Sequence, residues 1–339
     1  MGPELAFLVA LVATLALTPL AIRVACATGF YDHPVGYKGH AGATPYLGGA
    51  AVIAGMLVAS ALFGHDLDEL LPIAIGAAVL LGVGTIDDRY ALTPLTRLAI
   101  EIAAAGVLYA GGIGWTLFGY DAVNLAITVV FVAGVVNAFN LMDNMDGACG
   151  SVAAASGTVL GILALVQGSP ELAAIAFALA GSCLGFLRYN LAAPARIFLG
   201  DGGSMPIGFV VAALIMAMPG AHQLGWTFVL VAVVLVGLPA LDTTLVIVSR
   251  RRRGAGVFEG GRDHLTHRLR CKLGSSRRVA ALLAAAQGAL VGVGGALLAS
   301  GNEPLALFGA VVLIVGGIIV VALLESPSWA PAPATEWST

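Results

Sequence analysis

The feature that most constrains this chain is where its positive charge lies relative to its apolar stretches. Eleven mostly apolar stretches read as membrane-crossing helices, near 5–22, 46–64, 70–86, 94–113, 121–139, 149–166, 171–187, 204–219, 226–248, 279–299 and 305–324. All 16 Lys and Arg residues fall in or beside the odd-numbered gaps between them. These are Arg23 and Lys38, then Arg89 and Arg97, then Arg188 and Arg196, then the block from Arg250 to Arg278. The even-numbered gaps carry Asp66, Asp68, Glu69, Asp121, Glu171 and Glu303, and no basic residue. Because Lys and Arg accumulate in cytoplasmic loops, the odd gaps are assigned to the cytoplasm. The expectation is an all-α fold. It is a polytopic integral membrane helical bundle of about 11 transmembrane helices, with the amino terminus outside and the carboxyl terminus cytoplasmic.

Composition agrees. The chain of 339 residues is 59% hydrophobic and only 10% charged, which no soluble core explains. The first apolar stretch does not read as a cleaved signal peptide, because Glu4 precedes it and Arg23 follows it. Cys26, Cys149, Cys183 and Cys271 show no paired spacing, so neither a disulfide framework nor a zinc site is indicated. The net charge of −3 carries little meaning when the charges are segregated by side. No nucleic-acid partner is expected. Residues 1–325 read as one transmembrane domain with a large cytoplasmic loop at 249–278. Residues 326–339, rich in Pro, Ala and Thr, read as a disordered tail.

Against this background the segment Asn137-Ala-Phe-Asn-Leu-Met-Asp-Asn-Met-Asp-Gly147 stands out. Polar atoms beside a bilayer are costly unless hydrated, paired or bound to a cation. Asn137, Asn140, Asp143 and Asp146 recur every three residues, so one helical turn or its fraying end can aim them at one point.

Four further polar segments lie in other odd gaps. The first holds Asp32, His33, Lys38 and His40, and runs to Thr44-Pro-Tyr-Leu-Gly-Gly49. The second is Asp87-Asp88-Arg89-Tyr90, with Arg97 following in the next helix. Asp87 and Asp88 could simply hydrate a helix end, but adjacent like charges repel, and a phosphate or Mg²⁺ site is the alternative. The third, Gly200-Asp-Gly-Gly-Ser204, could be a turn with a helix cap. Its glycines would equally let backbone and Asp201 approach a diphosphate–metal complex. The fourth is Arg262-Asp-His-Leu-Thr-His-Arg268. His264 and His267 alone would more often be structural, yet flanking arginines favour a phosphate or sugar site. The run Arg250–Arg253 reads as an anchor for anionic lipid heads. Asp242 and Glu101, isolated carboxylates within apolar stretches, read as supporting groups behind a site.

In order and wording these five motifs resemble the polyprenyl-phosphate N-acetylhexosamine-1-phosphate transferases, over nearly the whole chain. The resemblance implies an enzyme that joins a lipid phosphate to a UDP-sugar, releasing UMP, with its active site on the cytoplasmic face of the inner (plasma) membrane. It implies Mg²⁺, with Mn²⁺ a substitute, held by Asn140 and Asp201. Asp87, Asp88, Asp143, His264 and His267 become the catalytic group, and Lys38, Arg97, Asp146 and Arg268 bind substrate. Its partners are the UDP-sugar, the polyprenyl phosphate and the membrane, with a homodimer allowed. The loop wording is closer to the GlcNAc-1-phosphate branch than to the phospho-MurNAc-pentapeptide branch, which is the first alternative. The chain departs from the family pattern in several places, and the Asp87-Asp88 motif lacks the third acidic residue found in some members. Asn144 stands where the family usually has Gly, with Met145 for Leu beside it, and Thr266 stands where it has a middle histidine. Outside the family the rival is an ion-coupled secondary transporter, whose site would sit at the bilayer midplane between repeated halves, and no repeat is visible here.

Overall fold

The computed structural model describes residues 2–32, 42–64, 67–220, 224–256 and 261–329. Among these are thirteen α-helices: α1 (Leu5–Thr28), α2 (Gly48–Phe63), α3 (Leu67–Tyr90), α4 (Pro94–Ala110), α5 (Asp121–Met142), α6 (Ala148–Val166), α7 (Pro170–Asn190), α8 (Asp201–Met216), α9 (Trp226–Leu235), α10 (Gly237–Arg253), α11 (Leu265–Leu273), α12 (Ser276–Ala299) and α13 (Glu303–Leu324). The fold is nearly, not wholly, α-helical: β1 (Tyr31–Asp32) pairs antiparallel with β2 (Thr44–Pro45), placing Tyr31 opposite Pro45.

Seven helices, α1, α3, α5, α6, α7, α12 and α13, are long and apolar enough to cross a membrane, and the α9–α10 pair raises that to eight. α2, α4 and α8 are shorter, at 16, 17 and 16 residues. The stretch 226–248 was expected as one span and is instead two helices bent by 83°. Pro239 has no N–H to give the ladder, and a break this sharp strands backbone polar groups that lipid cannot satisfy. Gln287 of α12 supplies the partners. Its Oε1 accepts from Leu238 N at 3.0 Å, and its Nε2 donates to Leu235 O at 2.9 Å and to Ser156 Oγ at 3.1 Å.

Without a hydrophobic drive between helices in lipid, close backbone approach takes its place, and small residues permit it. A Cβ at Gly181 of α7 would stand 2.0 Å from Phe7 O of α1, closer than any real contact. α8 is the most enclosed helix: every residue from Gly202 to Met216 is buried, against α2, α3 and α5. Wrapped in protein, it need not span the roughly 30 Å of hydrocarbon that a lipid-exposed helix must cover.

The odd-numbered gaps meet at one end of this bundle. Gly48 N and Gly49 N donate to Phe198 O and Leu199 O, both at 3.0 Å, stitching the chain ahead of α2 to the chain ahead of α8. Even-gap residues meet one another as well, with Thr227 Oγ1 donating to Glu303 Oε1 at 3.1 Å and Phe118 packed edge-on to Trp226.

Candidate active site

The N-terminus of α8 is the hub. The first N–H groups of a helix have no partner within it and attract an acceptor, most strongly an anionic one. Asp88, from the end of α3, fills that role from another helix. Its Oδ1 accepts from Asp201 N at 2.9 Å and its Oδ2 from Gly202 N at 3.2 Å. The glycines here are required by space. A Cβ on Gly84 would lie 2.4 Å from the Asp201 carbonyl carbon, and one on Gly200 would lie 2.5 Å from Asp88 Oδ2.

Arg97 of α4 ties the surrounding groups together. It pairs with Asp87 Oδ2 at 3.0 Å and with Asp201 Oδ2 at 3.4 Å, and donates to Asn140 Oδ1 at 2.6 Å. Asn140 in turn donates to Asp201 Oδ1 at 2.7 Å and to Ser204 Oγ at 3.0 Å. Asp87 is buried, and its Oδ1 accepts from Leu92 N at 2.6 Å. That bond closes the turn in which Ala91 takes a left-handed φ of 49°, an uncommon state for a residue with a Cβ. Asn137, one turn before Asn140, is used behind the site, donating to Glu101 Oε2 at 2.6 Å.

Asp143 caps the carboxyl end of α5. Burial, and then the charges of Asp201, Asp88 and Asp146, push its carboxyl well above the ordinary carboxylate range. Four carboxylates therefore stand within electrostatic reach of one another, and Arg97 pairs with one of them, Asp201. Their loop is held by Asn190, which accepts from Gly147 N at 2.7 Å and donates to Ile197 O at 3.0 Å. Gly147 has φ 80°, and a side chain there would also strike Leu191.

A second cluster forms around α11. Asp242 of α10, fully buried, accepts from Leu265 N at 2.6 Å through Oδ1. Its Oδ2 lies 2.8 Å from His264 Nδ1. A carboxylate accepts, so Nδ1 of His264 is the donor in this pair. His267, with its ring centroid 6.2 Å from that of His264, is pushed down to about 4 by burial and by the charges of His264 and Arg262. It is therefore neutral at pH 7.

Two basic assignments change. Arg268 was expected at the substrate, but its guanidinium is buried and engaged in structural bonds. It donates to Asp263 O at 3.1 Å, Ser249 Oγ at 2.9 Å and Glu325 Oε1 at 2.7 Å, and also to Leu324 O. It fastens the loop to the ends of α10 and α13. The run Arg250–Arg253 is likewise no uniform lipid anchor. Arg250 is buried against Asp263 at 3.1 Å and Arg253 binds the same carboxylate, while Arg251 and Arg252 are exposed. Pro327–Trp329 form a 3₁₀ turn, and Lys272 lies 5.4 Å from the Trp329 ring centroid.

The structure thus brings Asp87, Asp88, Arg97, Asn140, Asp143 and Asp201 into one constellation, with Asp146 on its loop, and places His264 and His267 beside Asp242. Lys38 lies outside the described residues. Ser204 carried no signal beyond a helix-cap pattern, and Asp242 was visible only as an isolated carboxylate in an apolar stretch. Among the described residues no three His, Cys, Asp or Glu side chains already surround one point. The donor chemistry nevertheless fits Mg²⁺. Hard oxygen donors and a surplus of negative charge suit it, and Asp201 with Asn140 offers both a carboxylate and a carboxamide. As Asn140 stands, its oxygen faces Arg97 and its nitrogen faces Asp201, so serving as a ligand requires its amide to turn.

A family model described as "Glycosyl transferase family 4" matches residues 70–219, which take in every member of the acidic constellation. The chain is 32% identical to a Mycobacterium leprae protein named "Decaprenyl-phosphate N-acetylglucosaminephosphotransferase", over 72% of this chain and 70% of that one. This chain belongs to glycosyl transferase family 4. It is also 27% identical to a Bacillus subtilis protein named "Probable undecaprenyl-phosphate N-acetylglucosaminyl 1-phosphate transferase", over 91% of this chain and 88% of that one. An Escherichia coli family member named "Undecaprenyl-phosphate alpha-N-acetylglucosaminyl 1-phosphate transferase" is 27% identical over 80% of this chain and 77% of that one. Lys38 and the α10–α11 region lie outside the family model's match, so the assignment of Lys38 rests on motif wording and that of the α10–α11 region on geometry and wording.

Proposed function

We propose that this multi-pass membrane protein transfers GlcNAc-1-phosphate from UDP-GlcNAc to a polyprenyl phosphate, yielding polyprenyl-diphosphate-GlcNAc and UMP. The observation that carries the reading is the surplus of carboxylates gathered around the α8 N-terminus in a chain of this family. An oxygen of the lipid phosphate attacks the β-phosphorus of the donor. The bond from that phosphorus to the bridging oxygen breaks, and UMP departs with the electron pair. Two anions must be brought into line, so positioning and charge neutralisation are the main tasks.

Asp201 and Asn140 would hold Mg²⁺, which supplies charge neutralisation at the donor diphosphate when bound. Asp88 has both oxygens engaged by backbone N–H groups, which fixes its carboxyl in place. It orients the α8 terminus, and the lipid phosphate, largely ionised near pH 7, needs little help to lose a proton. Arg97 keeps the carboxylates from repelling one another and gives a donor for phosphate. Asp143 and Asp146 face the nucleotide side, and His264 with His267 covers the sugar nucleotide. In this reading the chain crosses the inner membrane eleven times, with its amino terminus outside, its carboxyl terminus cytoplasmic and the constellation facing the cytoplasm.

The test is UMP release by purified protein given UDP-GlcNAc, a polyprenyl phosphate and Mg²⁺. Omitting the lipid or adding EDTA should abolish release, and Mn²⁺ should restore part of it. UDP-GalNAc and UDP-MurNAc-pentapeptide in parallel identify the sugar. Failure with every donor, together with solute uptake in proteoliposomes, would overturn the enzyme reading in favour of a transporter.

A further inference from the structure

Two of the residues that depart from the family pattern touch each other. Thr266 on α11 is fully buried, and its hydroxyl hydrogen-bonds to the side-chain oxygen of Asn144, 122 residues away in the α5–α6 loop. The polarity of that bond is set locally. Asn144 Nδ2 donates to Leu141 O at 2.7 Å, and a carbonyl can only accept, so the Asn144 oxygen is the end that faces Thr266. Thr266 is therefore the donor. Asn144 directly follows Asp143, and Thr266 lies between His264 and His267. The bond thus spans from the acidic constellation to the histidine-bearing helix.

α11 is short, with nine residues, and cannot hold its place by its own ladder. Asp242 secures its N-terminus from the α10 side, and Asn144 secures it from the α5–α6 side. We propose that the Asn144–Thr266 hydrogen bond is a positioning latch that sets α11, and with it His264 and His267, over the sugar-nucleotide side of the acidic constellation. The two positions act as one unit, so changing either releases α11 and changing both costs no more than changing one. The role of the latch in donor binding rests on the transferase reading above.

The experiment is a double-mutant cycle on the full chain in detergent, using Asn144→Gly, Thr266→Val and the double variant, with Thr266→Ser as the rescue. The first readout is hydrogen exchange of the α11 amides without substrate, which does not depend on the activity assigned. The second is KM for UDP-GlcNAc and kcat. Each single variant should speed α11 exchange and raise KM by about threefold to tenfold, the scale of one net hydrogen bond, with kcat changed less. The double variant should match the singles, and Thr266→Ser should restore both readouts. Additive effects, or Thr266→Val indistinguishable from wild type in α11 exchange, would overturn the latch. A wild type that releases no UMP would sink the transferase reading, while the exchange cycle would still decide whether the latch exists.

Discussion

The acidic constellation at α8 and the α10–α11 region both gather charged side chains and treat them in opposite ways. Around α8, Asp87 and Asp201 share Arg97, the one cation paired with Asp87, Asp88, Asp143 or Asp201 among the described residues, and burial and then its neighbours hold Asp143 above its ordinary range. Around α11, Arg250 and Arg253 are matched by Asp263, Arg268 by Glu325, and His264 by Asp242. Uncompensated charge is costly to bury, so a fold that retains it does so where a ligand will supply the balance. Compensated charge is architecture. Under the proposed function the first region does chemistry and most of the second is scaffolding, with His264 and His267 as its exceptions.

The largest effect expected falls on the uncompensated side. Asp201→Ala should lower UMP release by more than about 10³-fold, as loss of a main electrostatic group does. Its thermal stability should be unchanged or higher, because one repelling carboxylate is gone. Substantial turnover in this variant would break the comparison. Asp263→Ala should do the reverse, removing a carboxylate that pairs with buried Arg250 and with Arg253. A stability loss of about 3–5 kcal/mol in denaturation is expected, with turnover per folded molecule changing only a few fold.

Asp242→Asn tests the exception. Its carboxamide oxygen can still accept from Leu265 N, but its NH₂ then faces His264 Nδ1 and forces the opposite tautomer. Turnover should fall by about 10²-fold, the scale of a proton-handling group, with α11 still folded by hydrogen exchange. An unaltered rate would make His264 structural. The smallest effect is a pH slope. His267 titrates near 6.5 when unfolded and about 4 when folded. Its contribution to stability is complete above pH 6.5 and is lost as pH falls toward 4, because the unfolded chain takes up the proton first. His267→Gln should flatten the fall in melting temperature across that window and leave the curve above pH 7 unchanged.

Much of the bundle was legible from hydropathy alone. Each of the eleven predicted stretches falls on a helix, or on the bent α9–α10 pair. The bend itself was not legible, because apolar character reports burial and carries no direction. Its stabiliser, Gln287, lies 49 residues from the Leu238 N–H that it accepts from. The acidic constellation was legible as residue types at telling positions, in Asp87-Asp88, Asn140, Asp143 and Asp201. The basic loop misled for the same reason: Arg250 and Arg268 look like anion binders until the carboxylates that neutralise them are located in space.

Taken by itself, the sequence determined that this is a helical membrane protein of glycosyl transferase family 4, since length, apolarity and motif wording are local properties. It also singled out the side chains to which the proposed function gives chemistry. The tertiary structure decided how those side chains are employed. Asp88 caps a helix from another element, Asp242 fixes a histidine tautomer, Arg268 is buried as a fastener, and Asn144 meets Thr266 across the site. Pairing is a property of distance between elements remote in the chain, and only the folded bundle fixes those distances.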